Sequence, residues 1–187
     1  MVSSLSIDKS HDPNQKINLK EIQECVNYHI NLSALINAPT NFRLLNYPEI
    51  VDPSSTTPTT NPQEFEIATT GKDNIRTDVE RSMRIMSTTI PSGCTPLTDH
   101  IWNIYSTINA LRGHLEVKGK QVVIVLATDG LPTNSQGETN EYIKQQFVQS
   151  LRLLEGLPVW VVIRLSTDNE SVVVSQQSYS LLYYSRT

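Results

Sequence analysis

The fold is decided by the stretch QVVIVLA, residues 121–127, in which one glutamine is followed by an unbroken apolar run. A run without polar alternation is typical of a parallel strand that is covered on both faces. Residues 159–165 (VWVVIRL) repeat this pattern after a segment at 139–154 that has helical apolar spacing. Strand, helix and strand in this order predict a parallel β-α-β unit with both strands buried.

The segments before this unit extend the alternation of helices and strands. An apolar stripe predicts a helix over residues 18–36, with Asn18 and Glu21 as a capping box, and a strand follows at residues 42–47. The remaining predicted elements are a weak edge strand at 65–68, a helix at 74–88 capped by Asp73, and a helix that opens at Thr95 and Pro96. The whole pattern predicts an α/β fold with a doubly wound, mostly parallel sheet flanked by helices.

The first strand of such a sheet is the weak point of the pattern. Residues 2–7 (VSSLSI) contain three serines where a central strand usually carries apolar side chains. Two interpretations stay open at this point. Either the first strand is degenerate, or the chain begins after the true one.

Length and composition predict one domain over residues 1–187, since a domain takes about 150 residues. Within it, residues 51–62 form a loop rich in serine, threonine and proline, and residues 168–187 form an irregular tail. The formal net charge of −4 argues against a nucleic-acid or anionic-membrane partner. The apolar runs are much shorter than the roughly 20 residues of a membrane span. With no readable signal peptide, and with Cys25 and Cys94 expected as reduced thiols, we expect a cytoplasmic protein.

Two polar segments stand where a doubly wound sheet binds ligands, at the carboxyl ends of its strands. Asp129 lies in Thr128-Asp129-Gly130, directly after the apolar run, and Thr95 places a hydroxyl at a helix start. Hydroxyl and carboxylate oxygens are ligands that Mg²⁺ prefers. Simpler alternatives are that Thr95 only caps its helix and that Asp129 and Gly130 only form a turn.

These two segments resemble the von Willebrand factor A (vWA) domain, and the resemblance covers residues 17–165. That family holds a metal ion with an Asp-x-Ser-x-Ser loop, a threonine from a second loop and an aspartate from a third. The resemblance implies Thr95 and Asp129 as metal ligands. In DKSHD, residues 8–12, it implies Asp8 and Ser10 as further ligands, although Asp12 replaces the second serine.

The function that this resemblance implies is a protein-interaction module and not an enzyme. Mg²⁺ would be its cofactor, and an exposed Asp or Glu of a protein partner would complete the metal's ligand shell. One alternative is a metal-free or truncated vWA-like scaffold. Another is a Mg²⁺-dependent hydrolase that uses Asp129 as nucleophile or metal ligand, although the familiar phosphate-loop, dinucleotide, nucleophile-elbow and zinc-protease motifs are missing.

The four histidines show no pairing at ligand spacing with acidic residues or cysteines. We therefore predict surface or interfacial roles for His11, His29, His100 and His114.

Overall fold

The computed structural model describes residues 2–5, 15–47, 63–89, 93–128 and 130–165. In chain order the elements are β1 (Val2–Leu5), α1 (Gln15–Ile36), β2 (Thr40–Leu44), β3 (Glu64–Ile67), a 3₁₀ turn (Lys72–Asn74), α2 (Ile75–Thr88), α3 (Leu97–Val117), β4 (Val122–Thr128), α4 (Glu141–Arg152) and β5 (Val159–Leu165). The predicted α/β class is thus confirmed. The assignment of all 187 residues to one domain stays a prediction.

The strands form one sheet in the order β3-β2-β1-β4-β5. Strand β1 lies at its centre and runs parallel to both β2 and β4, while β5 runs parallel to β4. Only the pairing of β2 with β3 is antiparallel within the described sheet. Residues 2–5 therefore do form a central strand despite their serines.

Helices cover both faces of this sheet. Leu5 pairs in register with Leu44 on one side and Ala127 on the other, so Leu44 and Ala127 face the same way and Leu126 faces the opposite way. Leu44 belongs to a core shared with α1 and α2, and Leu126 belongs to a second core shared with α3 and α4. The first core contains Ile22, Val26, Ile30, Phe42, Leu44, Phe65, Ile67, Ala68 and Met86.

The two apolar runs differ in burial. In β4, the stretch Ile124 to Thr128 is buried, as expected for a strand with neighbours on both sides. The bounds of β5 match the prediction, but Trp160 is 57% exposed and Val162 is 44% exposed. The prediction of burial on both faces is therefore wrong for β5. Its alternate residues, such as Val161, pack against the α3 and α4 core, whereas Trp160 and Val162 are on the opposite face.

The predicted starts of α1, α2 and α4 need correction. Helix α1 begins at Gln15, so Asn18 lies inside it and the capping box with Glu21 is wrong. Helix α2 has Asn74 and not Asp73 at its N-cap. Helix α4 begins later than predicted, because the Asn140 side chain caps it by accepting a hydrogen bond from the Ile143 N–H at 3.0 Å.

Among the described residues, no helix combines the length and the apolar character that crossing a membrane requires.

Candidate metal centre at the carboxyl edge of the sheet

Of the four predicted metal ligands, Thr95 lies within the described residues. Asp8, Ser10 and Asp129 lie outside them. The residues on both sides of Asp129, Thr128 and Gly130, are described, and so is β1, the strand that precedes Asp8 and Ser10. The surroundings of the predicted site can therefore be built from these neighbours.

Three parallel strands end together at one edge of the sheet. Leu5, the last residue of β1, lies in register with Leu44, the last residue of β2, and with Ala127, the penultimate residue of β4. The chain then continues to α1 on one face and to α4 on the other, as the two separate cores indicate. Neighbouring strands with diverging connections leave a crevice at their carboxyl ends, where α/β proteins bind ligands.

Thr95 lies at this edge with only 3% of its surface exposed. Its N–H donates to Thr133 Oγ1 at 2.7 Å, and the Thr133 N–H donates to the Thr95 carbonyl oxygen at 3.0 Å. These reciprocal bonds fasten the segment before α3 to the loop that follows β4. The predicted start of α3 is wrong, because the N-cap is Pro96 and the first helical residue is Leu97, so Thr95 lies one residue before the N-cap position.

Gly130 brings the loop after β4 against the Thr95 hydroxyl. A Cβ atom built at Gly130 would lie 3.6 Å from Thr95 Oγ1, which is an ordinary contact distance. The buried Thr128 hydroxyl holds this turn, since its oxygen lies 3.2 Å from both the nitrogen and the carbonyl oxygen of Gly130. The residue that follows Asp129 in the chain is thus a direct neighbour of Thr95.

The loop after β2 contacts the segment just before Thr95. Asn46 Nδ2 donates to the Cys94 carbonyl oxygen at 2.7 Å. Gly93 has φ +94°, and a Cβ built on it would lie 2.9 Å from Asn46 Cγ, so a glycine is needed both for the backbone and for the space. Sequence analysis missed Asn46 and Thr133, because each contacts a partner far along the chain and carries no local pattern.

His100 ties α3 to the end of β2. Its Nε2 lies 2.8 Å from the Leu45 carbonyl oxygen, so in the neutral ring that nitrogen carries the proton. Burial lowers the pKa of His100, and the bond to Leu45 opposes this in part. Its exposed fraction is 8%, and that of His29 is 9%, so the predicted surface role is wrong for both. His114 is exposed as predicted, and His11 lies outside the described residues.

The proposed donors share one chemistry. Threonine and serine hydroxyls and aspartate carboxylates are all oxygen ligands, which fit a hard cation such as Mg²⁺. Within the described ranges, no group of three or more His, Cys, Asp or Glu side chains could share a metal ion. That finding does not bear on Thr95 or on candidates outside those ranges, so the Mg²⁺ site stays a prediction.

No protein-family model matches this chain, and no curated protein matches it in sequence. The resemblance to vWA domains therefore continues to depend on the residues and motifs themselves.

Proposed function

We propose that this chain is a vWA-type protein-interaction module that binds an acidic side chain of a partner protein through Mg²⁺ at the carboxyl edge of a doubly wound sheet. The sheet order supports this fold, because the chain passes from β1 outward to β2 and β3 and then to β4 and β5 on the other side. The separate helical cores on the two faces support it as well.

One observation carries the proposal: the buried Thr95 hydroxyl lies beside Gly130, the residue directly after Asp129. In this proposal Thr95 is a direct ligand, Asp129 acts through water, and Asp8 and Ser10 complete the set from the chain that follows β1. Thr133 orients the Thr95 backbone through the two hydrogen bonds described above. When bound, Mg²⁺ would supply a positive charge and an open coordination position for a partner's carboxylate.

The primary experiment is thermal unfolding with and without millimolar Mg²⁺. A ligand that binds only the folded state, at about 100 times its Kd, stabilises that state by about 2.7 kcal/mol. For a chain of this size, that corresponds to a rise in Tm of about 5–10 °C. We expect the wild type and Thr95→Ser, which keeps the oxygen, to respond.

The matched variants remove one oxygen at a time. Thr95→Val keeps the side-chain shape without the hydroxyl, and Asp129→Ala removes the carboxylate, so both should lose the response to Mg²⁺. Thr107→Val and Asp99→Ala change exposed residues of α3 and should keep it.

A wild-type Tm that does not change with Mg²⁺ would refute the metal site and favour the metal-free scaffold. Turnover of a generic phosphate ester that disappears in Asp129→Asn would instead favour the hydrolase and contradict a pure binding role.

A further inference from the structure

Strand β3 has a backbone edge that faces away from the sheet. The Leu44 N–H donates to the Gln63 carbonyl oxygen at 2.8 Å, and these two residues lie opposite each other, so they form a hydrogen-bonded pair. Hydrogen-bonded pairs recur at every second residue of an antiparallel ladder, which directs the backbone groups of Phe65 and Ile67 toward β2. The N–H and C=O groups of Glu64 and Glu66 therefore point outward.

These outward groups are unpaired in the part of the chain that the structure describes. Among the described residues, no further strand or loop forms a backbone hydrogen bond with Glu64 or Glu66. The next outward N–H, that of Ala68, is already used, since it donates to Asp78 Oδ2 at 3.3 Å. The open edge is thus two outward-facing residues long and ends at Ala68.

The side chains along this edge are acidic. Glu64 and Glu66 alternate with the buried Phe65 and Ile67, so both carboxylates are on the same exposed face. Glu64 lies 2.7 Å from the Arg43 guanidinium, whereas Glu66 accepts from the Thr69 hydroxyl at 2.6 Å and has no basic partner among the described residues.

A polar cavity of about 370 Å³ adjoins this face. It is lined by residues of β2, of α3 and of the start of β3. Its lining residues are Arg43, Gln63, Glu64, Asn103, Ser106 and Thr107, together with His100.

We propose that the open edge of β3 pairs with an extended segment of a partner protein, in antiparallel orientation, with a basic residue beside each of Glu64 and Glu66 and an apolar residue between them. The backbone groups supply the hydrogen bonds, as in other additions of a strand to a sheet edge. Opposite charges directly across from one another stabilise such a pair. The apolar residue faces the other side of the sheet, where Phe65 packs with α2.

A second copy of this chain does not fit the same edge. Two β3 strands side by side would place glutamates next to glutamates, and like charges across a pair of strands are destabilising. The charge on the edge therefore selects a basic partner over self-association. This surface includes neither Thr95 nor the proposed cation site, so binding to it does not depend on the proposed function.

The test uses the full chain and the labelled peptide acetyl-Ser-Lys-Val-Lys-Val-Ser-amide, followed by fluorescence anisotropy in EDTA. We expect saturable binding to the wild type. Affinity should fall by about tenfold or more in Glu64→Lys combined with Glu66→Lys, which corresponds to about 1.4 kcal/mol. The control Glu80→Lys combined with Glu116→Lys makes the same change of net charge on exposed helix residues and should bind like the wild type.

A second peptide separates strand pairing from simple charge attraction. N-methylation of both lysine amides keeps their charge but removes the N–H groups that would bond to the Glu64 and Glu66 carbonyl oxygens. We expect this peptide to lose about tenfold or more in affinity. Equal binding of the two peptides, equal binding by both charge-reversed proteins, or no binding of the parent peptide to the wild type would each overturn the proposal. Because EDTA is present, none of these results bears on the Mg²⁺ site.

Discussion

Replacing Gly93 with alanine should destabilise the protein by more than the same change at another glycine with positive φ. Gly93 has φ +94° and Gly156 has φ +79°, so an alanine is strained at both positions. That strain costs about 1–2 kcal/mol at each. The two sites differ in space, because a Cβ at Gly156 meets nothing within 4 Å, whereas one at Gly93 lies 2.9 Å from Asn46 Cγ.

The additional cost at Gly93 follows from the Asn46 side chain. To accommodate the new Cβ, Asn46 must move and so weaken its 2.7 Å hydrogen bond to the Cys94 carbonyl oxygen. Such a bond contributes about 1 kcal/mol. We therefore expect Gly93→Ala to cost about 2–3 kcal/mol, against about 1–2 kcal/mol for Gly156→Ala.

The free energies of unfolding in urea, measured for the single and double variants of Gly93 and Asn46, test this difference. In an Asn46→Ala background the obstructing side chain is gone, so Gly93→Ala should cost only the strain of about 1–2 kcal/mol. Gly113→Ala, in the open middle of α3, should stabilise the protein by about 1 kcal/mol and confirm that the assay resolves both signs. Equal costs for Gly93→Ala and Gly156→Ala, or no coupling between positions 93 and 46, would refute the packing described here.

Two further predictions concern helix capping and pH. Asn140→Ala should cost about 1 kcal/mol in urea unfolding, while Asn74→Ala, at an N-cap without a capping side-chain bond, should cost much less; equal costs would contradict the capping role. Burial and then the Arg164 charge lower the pKa of His29, whose ring nitrogens are buried and have no hydrogen-bond partner among the described residues. Burial also lowers the pKa of His100. For both histidines the unfolded chain therefore binds a proton near pH 6.5 before the folded protein does, and stability should fall as the pH drops through that value, by at most about 1.4 kcal/mol per pH unit for each histidine. His29→Leu should flatten this dependence and the exposed His114→Leu should not; equal slopes in both variants would show that His29 is not its source.

The parts of the fold that sequence predicts well are those with strong local patterns. The apolar run of β4 and the bounds of β5 could be predicted because burial alone dictates their composition. Strand β1 was harder, since its serines give little local preference and its central place depends on pairing with both β2 and β4. Helix starts were least well predicted, because several polar residues near each start compete as caps.

The same distinction between local patterns and distant contacts applies to the candidate site. The motif names Thr95 as a candidate ligand, and that role stays a prediction. Its contacts with Thr133 and Gly130 join separate loops and have no signature in the sequence. The burial of His100 was missed for a related reason. Its hydrogen bond to Leu45 forms only when α3 packs beside the end of β2.

The most direct test of the proposed metal site is the broadening of backbone amide NMR signals by Mn²⁺, a paramagnetic ion that binds oxygen ligands as Mg²⁺ does. We predict that the signals of Thr95 and Gly130 disappear at substoichiometric Mn²⁺ and that excess Mg²⁺ restores them. The signals of Gly71 and Gly156 should persist. Gly71 follows the antiparallel β3 and Gly156 precedes β5, so both lie near the amino ends of the parallel strands, away from the proposed site. Sharp signals from Thr95 and Gly130 at saturating Mn²⁺, or broadening confined to Gly71 and Gly156, would contradict the account.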